Sequence, residues 1–225
     1  MSGLEKRTTK FYSRGDRTVT INAAQGHFAT GNSHVNYYVD ATRLKIRVNE
    51  AKNVAAIIKD KMVNNVTTVD TIVCLDNTQM LGGFIAQELE TGQFLVSNTH
   101  ATIYVITPDE NSLHQFMFRS TDRMGVGGKN CLILAGILTT GETISRIAEC
   151  IEYYGGMNVG VAAIFSTMDM VDGLRVFKVF DPDDLPGYAT YKIGECPYCA
   201  KGIKVEAIVN GAGYAVMVEK IAATP

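Results

Sequence analysis

Three threonines and a glycine follow the most apolar segment of the chain, residues 131–135, and precede an amphipathic segment that begins at Ile144. Backbone amides at the start of a helix have no partner within the helix, and the helix dipole favours an anion there. Threonine hydroxyls can donate further hydrogen bonds, and a glycine permits a close or left-handed backbone approach. The alternative is an ordinary helix cap formed by one of the first two threonines. The predicted phosphate-binding loop consists of Thr139, Thr140, Gly141, Glu142 and Thr143.

A second group with chemical potential is the Cys196-Pro197-Tyr198-Cys199 motif. Its spacing suits half of a zinc site, and it also suits a redox dithiol. Zinc needs four ligands and no second pair lies nearby in the sequence, so a metal would require distant Cys and His residues or a partner subunit. A redox role needs a helix start in a thioredoxin-like unit, whereas this motif lies between turn-rich segments. The sequence favours a reduced structural turn over zinc binding and over redox chemistry.

The histidines give no sign of a metal site or of a catalytic group. No two of them are four residues apart, the spacing that would place two ligands on one helix face. The sequence also shows no separate pairing of a nucleophile with a base. We therefore predict no catalytic residue and no metal, and we expect surface or capping roles for His27, His34, His100 and His114.

The composition is that of an ordinary globular protein. Of 225 residues, 46% are apolar and 20% are charged, and the formal net charge is −2, so no basic field indicates nucleic acid. Residues 1–10 are polar and charged, and no apolar run reaches the length of a membrane span. The five cysteines are odd in number, and three lie in apolar segments, which argues against a disulfide framework. We expect a cytoplasmic protein without a nucleic-acid or membrane partner.

The periodicity of apolar residues predicts alternating strands and helices. Helices are predicted over residues 49–64, 81–90 and 144–154, and buried strands over 71–75, 102–106, 131–135 and 159–165. Residues 115–119 are strand-like and follow a hairpin-like stretch. The order of elements predicts an α/β fold, a parallel sheet flanked by helices with right-handed crossovers.

The two ends of the chain are predicted to form a small hood. After Phe180 the sequence becomes rich in Asp, Pro, Gly and Tyr, and short strands are predicted at 204–209 and 214–218 around Asn210 and Gly211. We expect a single domain, with a core of about residues 45–182 and a hood of about residues 1–44 and 183–225.

Residues 131–144, CLILAGILTTGETI, resemble the signature of the type I phosphoribosyltransferases. In that signature four apolar strand residues precede two acids, two apolar residues and Thr-Thr-Gly-Gly-Thr or a near variant. Further segments resemble the orotate phosphoribosyltransferase branch, in the same order along the chain. These segments are GHF at 26–28, TGNSH at 30–34, YYVD at 37–40, LGG at 81–83 and CPYCAKG at 196–202.

The resemblance implies a fold, a ligand and an assembly. It implies the phosphoribosyltransferase α/β core with a hood, a homodimer, and a 5′-phosphorylated ribose ligand at residues 139–143. That ligand would be phosphoribosyl pyrophosphate or a nucleoside monophosphate. For an active enzyme it implies Mg²⁺ and the transfer of ribose 5-phosphate to a pyrimidine base, with release of pyrophosphate.

The sequence departs from the family pattern at three places. Ala135 and Gly136 stand where the family has the two acids that contact the ribose hydroxyls. The family's glycine-containing pyrophosphate loop is replaced by a segment with an acid and without Gly, Arg or Lys, whose central residues are Asp76, Asn77 and Thr78. The residues that follow the second core strand are uncharged and then acidic, and the nearest arginine, Arg119, either contacts an anion or is a solvated surface residue.

Three functional hypotheses follow from these departures, the weakest of which is a structural subunit that binds no nucleotide. The first is an orotate-phosphoribosyltransferase-like protein that binds a 5′-phosphorylated ribose compound. The second is a catalytically silent paralogue that binds a nucleotide and regulates or scaffolds a partner. Within the loop, Glu142 either restores a nearby carboxylate, repels the phosphate or faces solvent as an acid in the first turn of a helix, and the last of these is favoured.

Overall fold

The computed structural model describes residues 4–66, 68–91, 102–211 and 213–217. Its helices are Thr42–Ile46 (α1), Val48–Met62 (α2), Gln79–Thr91 (α3), Glu142–Tyr153 (α4) and Pro197–Ala200 (α5). Its strands are Thr9–Tyr12 (β1), Thr20–Ala29 (β2), Ser33–Asp40 (β3), Thr71–Cys74 (β4), Tyr104–Ile106 (β5), Asp109–Glu110 (β6), Phe116–Met117 (β7), Asn130–Leu138 (β8), Met157–Ser166 (β9), Met170–Val171 (β10), Leu174–Phe180 (β11), Thr190–Lys192 (β12), Ala207–Asn210 (β13) and Gly213–Val216 (β14).

The core sheet has the strand order β10-β11-β9-β8-β4-β5. Strand β8 is central and pairs in parallel with both β4 and β9, and among the described strands of this sheet only β10 runs antiparallel to its neighbour. The core of β8 is fully buried because it carries the continuous apolar run that a central parallel strand needs. The predicted fold class, a parallel sheet flanked by helices, is confirmed.

Helices cover both faces of the core sheet. Successive residues of a strand point to opposite faces, and β8 follows this rule. Leu132 and Leu134 pack in a cluster that contains the buried residues of α2 and α3, whereas Ile133 packs in a second cluster with Ile144 and Ile147 of α4. The helices that join parallel strands therefore lie on either side of the sheet.

A second sheet, the hood sheet, has the order β12-β3-β2-β13-β14, with β1 also paired to β2. Strands β2 and β13 run in parallel, with Phe28 opposite Ala207, so segments from near both ends of the described chain share one sheet. A separate apolar cluster that includes Phe28, Tyr38 and Val209 holds the hood sheet together. The sequence analysis predicted a small hood from the two chain ends, but it did not predict that the hood is one sheet.

The structure differs from the predicted elements in detail. Strand β11 was not predicted, because Arg175 and Lys178 interrupt its apolar residues, yet it pairs in parallel with β9. The predicted strands at 102 and 204 begin later, at Tyr104 and Ala207. His100 and the end of the last predicted strand, at Val218, lie outside the described residues. None of the described helices has the length and apolar character needed to cross a bilayer.

Candidate functional site

A cleft of about 660 Å³ lies at the carboxyl ends of β4 and β8. The loop after β8, the turn after β4 and parts of the hood sheet line it. In an open parallel sheet, ligands bind outside the carboxyl ends of the strands. The volume falls in the range of about 300–1,000 Å³ that is typical of small-molecule sites. The position and size make this cleft the candidate functional site.

Thr139, Thr140, Gly141 and Thr143 lie along one wall of the cleft, at the start of α4. Gly141 is the residue before the helix and has a left-handed backbone, with φ 83°, and no side chain in the described part of the chain caps α4. The predicted alternative, a cap formed by Thr139 or Thr140, is therefore wrong. Thr140 and Thr143 are exposed and line the cleft. The first amides of α4 and two hydroxyl groups are thus open to a ligand.

Gly141 is needed for packing as well as for its backbone conformation. A Cβ atom at this position would lie 3.1 Å from Val171 Cγ1, in addition to the strain of a positive φ. Glu142, next to it, is exposed and is not among the residues that line the cleft. The carboxylate of Glu142 therefore faces solvent.

Arg146 adds a positive charge beside the loop, and the sequence analysis missed it. Its Nη2 donates a hydrogen bond of 3.3 Å to Thr143 Oγ1, and the residue lines the cleft. Its Nε is buried and has no hydrogen-bond partner among the described residues. The available signal was its spacing, since residues three apart in a helix lie on the same face. Arg146 can supply a donor and a charge to an anion held by the loop.

A carboxylate from the turn after β4 lies beside the place where the family acids are absent. Gly136 N donates a hydrogen bond of 3.1 Å to Asp76 Oδ2, across the gap between β8 and β4. Asp76 and Asn77 both have left-handed backbones, with φ of 53° and 58°. Thr78 is buried and donates a hydrogen bond of 2.6 Å to Leu75 O, so its hydroxyl is turned into the protein. Of these three residues, only Asp76 and Asn77 line the cleft.

The charge of Lys45 acts on Asp76 from another part of the chain, although the segment around Asp76 itself contains no Arg or Lys. This lysine is only 4% exposed, and its Nζ donates to Asp76 O at 2.8 Å and to Gly211 O at 2.6 Å. The turn between β13 and β14 is therefore held against the turn after β4. The approach is so close that a Cβ atom at Gly211 would overlap the Asp76 carboxyl group. Lys45 was missed because its partners are far away in the sequence.

Burial dominates the protonation of this pair. Desolvation raises the pKa of Asp76, although the Gly136 amide and the Lys45 charge act in the opposite direction. Desolvation likewise lowers the pKa of Lys45, against the effect of Asp76. A raised carboxyl pKa means that the folded state disfavours the ionised form. The stability that Asp76 contributes is therefore full below its unfolded pKa and is lost as the pH rises through its higher folded pKa.

The variant Asp76→Asn is expected to melt at a higher temperature than the wild type at neutral pH. Asn tolerates a left-handed backbone and keeps an oxygen that accepts from Gly136 N, but it has no charge to bury. We expect a rise of a few degrees, because about 1 kcal/mol corresponds to about 2–4 °C in a chain of this size. Melting curves test this at pH values from 3, which is about one unit below the unfolded Asp pKa, up to 8.

The control for this experiment is Asp60→Asn, which changes an exposed aspartate in α2. The gain from Asp76→Asn should disappear at acid pH, where the wild-type carboxyl group is also neutral. A lower melting temperature at neutral pH, or a gain that is the same at every pH, would contradict the assigned role of burial.

Two other residues considered in the sequence analysis, Arg119 and His114, contact acidic side chains. Arg119 is exposed and forms a bidentate ion pair with Asp109, with distances of 2.6 and 3.0 Å, and it does not line the cleft. Of its two predicted roles, the surface role fits this position. His114 lines the cleft, but its Nδ1 is 2.7 Å from Glu110 Oε1. These contacts direct both side chains to acids of β6.

Cys196 and Cys199 do not line the cleft. They lie at α5, where the structure brings them together with His27 and His34. The expectation of a surface or capping role is wrong for His27, which is 1% exposed. This cluster is the group of described residues that could hold a metal, and its geometry is given below.

Comparisons with known proteins give matches only at the level of structure. No protein-family model matches the chain, and no curated protein matches it in sequence. Among solved structures, the UMP synthase of Leishmania donovani is similar with a TM-score of 0.52 and 17% identity, over 73% of this chain and 34% of that one. The orotate phosphoribosyltransferase of Mycobacterium tuberculosis H37Rv, in complex with Fe(III) dicitrate, is similar with a TM-score of 0.50 and 15% identity, over 73% and 91%.

Proposed function

We propose that this chain, which has the type I phosphoribosyltransferase fold, binds a 5′-phosphorylated ribose compound through residues 139–143. The compound would be phosphoribosyl pyrophosphate or a nucleoside monophosphate, as in an orotate-phosphoribosyltransferase-like protein. One observation carries the proposal: the uncapped start of α4 opens into the cleft beside the hydroxyls of Thr140 and Thr143.

The charges around the loop support an anion rather than a neutral ligand. The amino end of α4 has a partial positive charge, and Arg146 lies one turn further along the same helix. Hydrogen bonds to a charged group contribute about 1.5–3 kcal/mol each. Glu142 does not oppose them directly, since it faces solvent. Two hydroxyls, the helix amides and one guanidinium together suit the three oxygens of a phosphate ester.

The rest of the ligand would extend from the loop toward the hood sheet. Gly31 and Asn32, in the turn between β2 and β3, line the same cleft, and so do Asn210 and Gly211 at the end of β13. These residues would contact the ribose and any base. When bound with phosphoribosyl pyrophosphate, Mg²⁺ would neutralise part of the pyrophosphate charge. The two family acids that would organise this complex are absent.

A second candidate function is a catalytically silent nucleotide-binding paralogue with a regulatory or scaffolding role. The position of Asp76 favours it, because a fixed carboxylate lies beside Gly136 where ribose and pyrophosphate chemistry would occur. A negative charge there repels the leaving group that transfer must stabilise. Binding of a nucleoside monophosphate needs no pyrophosphate site, and residues 139–143 would hold its phosphate without the two acids. A homodimer remains part of the proposal.

Two assays on the purified chain separate these candidates. The first is thermal-shift titration with phosphoribosyl pyrophosphate and Mg²⁺ and with orotidine and other nucleoside monophosphates. The second is release of pyrophosphate in the presence of orotate. Stabilisation by a monophosphate without pyrophosphate release supports the silent paralogue, and stabilisation with release supports a transferase. No stabilisation by any phosphorylated ribose compound would contradict both.

A further inference from the structure

Four side chains from distant parts of the sequence meet away from the cleft. The ligand atoms of His27, His34, Cys196 and Cys199 all lie within 4.8 Å of one another. His27 and His34 come from the neighbouring strands β2 and β3, and the two cysteines come from the ends of the CPYC motif at α5. Two imidazoles and two thiols form a Cys₂His₂ set, which is a common ligand set of structural zinc.

The distances between these atoms fit the edges of a tetrahedron around zinc. With Zn–N of about 2.0–2.1 Å and Zn–S of about 2.3 Å, tetrahedral edges are about 3.3–3.8 Å. His27 Nε2 lies 3.0 Å from His34 Nδ1, 3.4 Å from Cys196 Sγ and 3.7 Å from Cys199 Sγ. Cys199 Sγ is 3.3 Å from His34 Nδ1. Four of the edges therefore lie at or close to the lengths that a bound ion would impose.

A second contact presents His27 in the form that a metal requires. Its other ring nitrogen, Nδ1, lies 2.8 Å from the carbonyl oxygen of Ile203, so Nδ1–H donates there and Nε2 keeps its lone pair. Metal-binding histidines usually make such an outer hydrogen bond, which fixes the tautomer and the ring orientation. Tyr198 stacks on the same ring at 5.3 Å between centroids. His27 and Cys196, 1% and 2% exposed, place half of the set out of water.

The local backbone of the motif suits a metal knuckle better than a redox dithiol. Cys196 precedes α5, Pro197 starts it, and α5 is only four residues long. Gly202 then turns the chain with φ 70°, and Gly202 N donates to Cys199 O at 2.9 Å. A thioredoxin-like dithiol needs a longer helix whose dipole stabilises a thiolate. Here the turn instead directs both sulfurs to the two histidines.

We propose that His27, His34, Cys196 and Cys199 form a structural zinc site. All four positions of the tetrahedron are filled by protein, so the site is closed to substrate. The ion joins the β2–β3 hairpin to the segment around α5, which lies more than 160 residues further along the chain. The turn of that hairpin, at residues 30–32, lines the cleft. The zinc therefore holds one wall of the cleft in place.

The metal content of the purified full chain tests this proposal. Elemental analysis is expected to find one zinc per chain, and X-ray absorption at the zinc edge should give two sulfur and two nitrogen ligands. Cys196→Ser and Cys199→Ser should each lower the zinc content at least tenfold. The control is Cys150→Ser, which removes a half-buried thiol outside the cluster and should leave the zinc content unchanged.

Variants of His34 keep the test decisive if a cysteine variant does not fold. His34→Ala should lose zinc, whereas His34→Cys should retain it, because a Cys₃His set also binds zinc. Removal of zinc by a chelator is expected to lower the melting temperature by roughly 5–10 °C, and added zinc should restore it. Wild-type protein without zinc that cannot take it up, or a zinc content that His34→Ala leaves unchanged, would overturn the proposal.

Discussion

The double variant Thr140→Val/Thr143→Val is expected to bind nucleoside monophosphates about 100-fold more weakly than the wild type. Valine has nearly the shape of threonine but cannot donate to a phosphate. Each lost hydrogen bond to a charged group costs at least about 1.5 kcal/mol, and about 3 kcal/mol corresponds to a factor of about 100 in affinity. Both residues are exposed at the cleft, so the fold itself should be unaffected.

Isothermal titration of the variant and the wild type with one monophosphate measures this difference. Thr140→Ser/Thr143→Ser keeps both hydroxyls and should retain most of the affinity. Thr121→Val, which changes an exposed threonine away from the cleft, should have no effect. Equal affinities of the valine variant and the wild type would show that the ligand is held elsewhere.

Restoring the two family acids is expected to give pyrophosphate release only after Asp76 is removed. A Cβ atom at Gly136 would lie 3.5 Å from Asp76 Oδ2 and 3.6 Å from Lys45 Cδ. A carboxylate at position 136 would therefore be placed against the carboxylate of Asp76, and two like charges at this distance cannot both ionise easily. The variant Ala135→Glu/Gly136→Asp should be less stable than the wild type and inactive.

The variant that also carries Asp76→Gly should release pyrophosphate at least about 100-fold faster than the double variant, which is the usual effect of one group that stabilises developing charge. Glycine accepts the left-handed backbone of position 76 without strain. The charge-free control is Ala135→Gln/Gly136→Asn with Asp76→Gly, which should remain inactive. If the double variant released pyrophosphate as fast as the triple variant, Asp76 would not be what blocks the reaction.

The parts of the site that the sequence revealed are those made by neighbouring residues. Strand β8 was recognisable because its apolar run is continuous, and the loop at residues 139–143 was recognisable because it lies between that run and an amphipathic helix. The same local pattern identified α2 and α3. Each of these features depends on a few consecutive residues, so their physical cause is visible in one segment of the chain.

The missed parts depend on contacts between distant segments. Lys45 bonds to Asp76 and Gly211, which are 31 and 166 residues away, and nothing in its own segment indicates a buried cation. The partners of the CPYC motif were missed for the same reason, since His27 lies 169 residues before Cys196. His27 and His34 come together because β2 and β3 pair in one sheet, whereas Lys45, Asp76 and the two cysteines come from other elements. Sequence periodicity predicts elements, but it does not predict which side chains those elements place in contact.

The most direct test of the proposal that residues 139–143 bind a phosphate is a backbone-amide NMR titration of the wild-type chain. Orotidine 5′-monophosphate and orotidine, the same compound without phosphate, are compared at equal concentration. The structure predicts that the amide signals of Gly141, Glu142 and Thr143 shift with the monophosphate and hardly change with the nucleoside. Unchanged amide signals in this loop, or equal shifts with both compounds, would contradict the proposal that the start of α4 holds a phosphate.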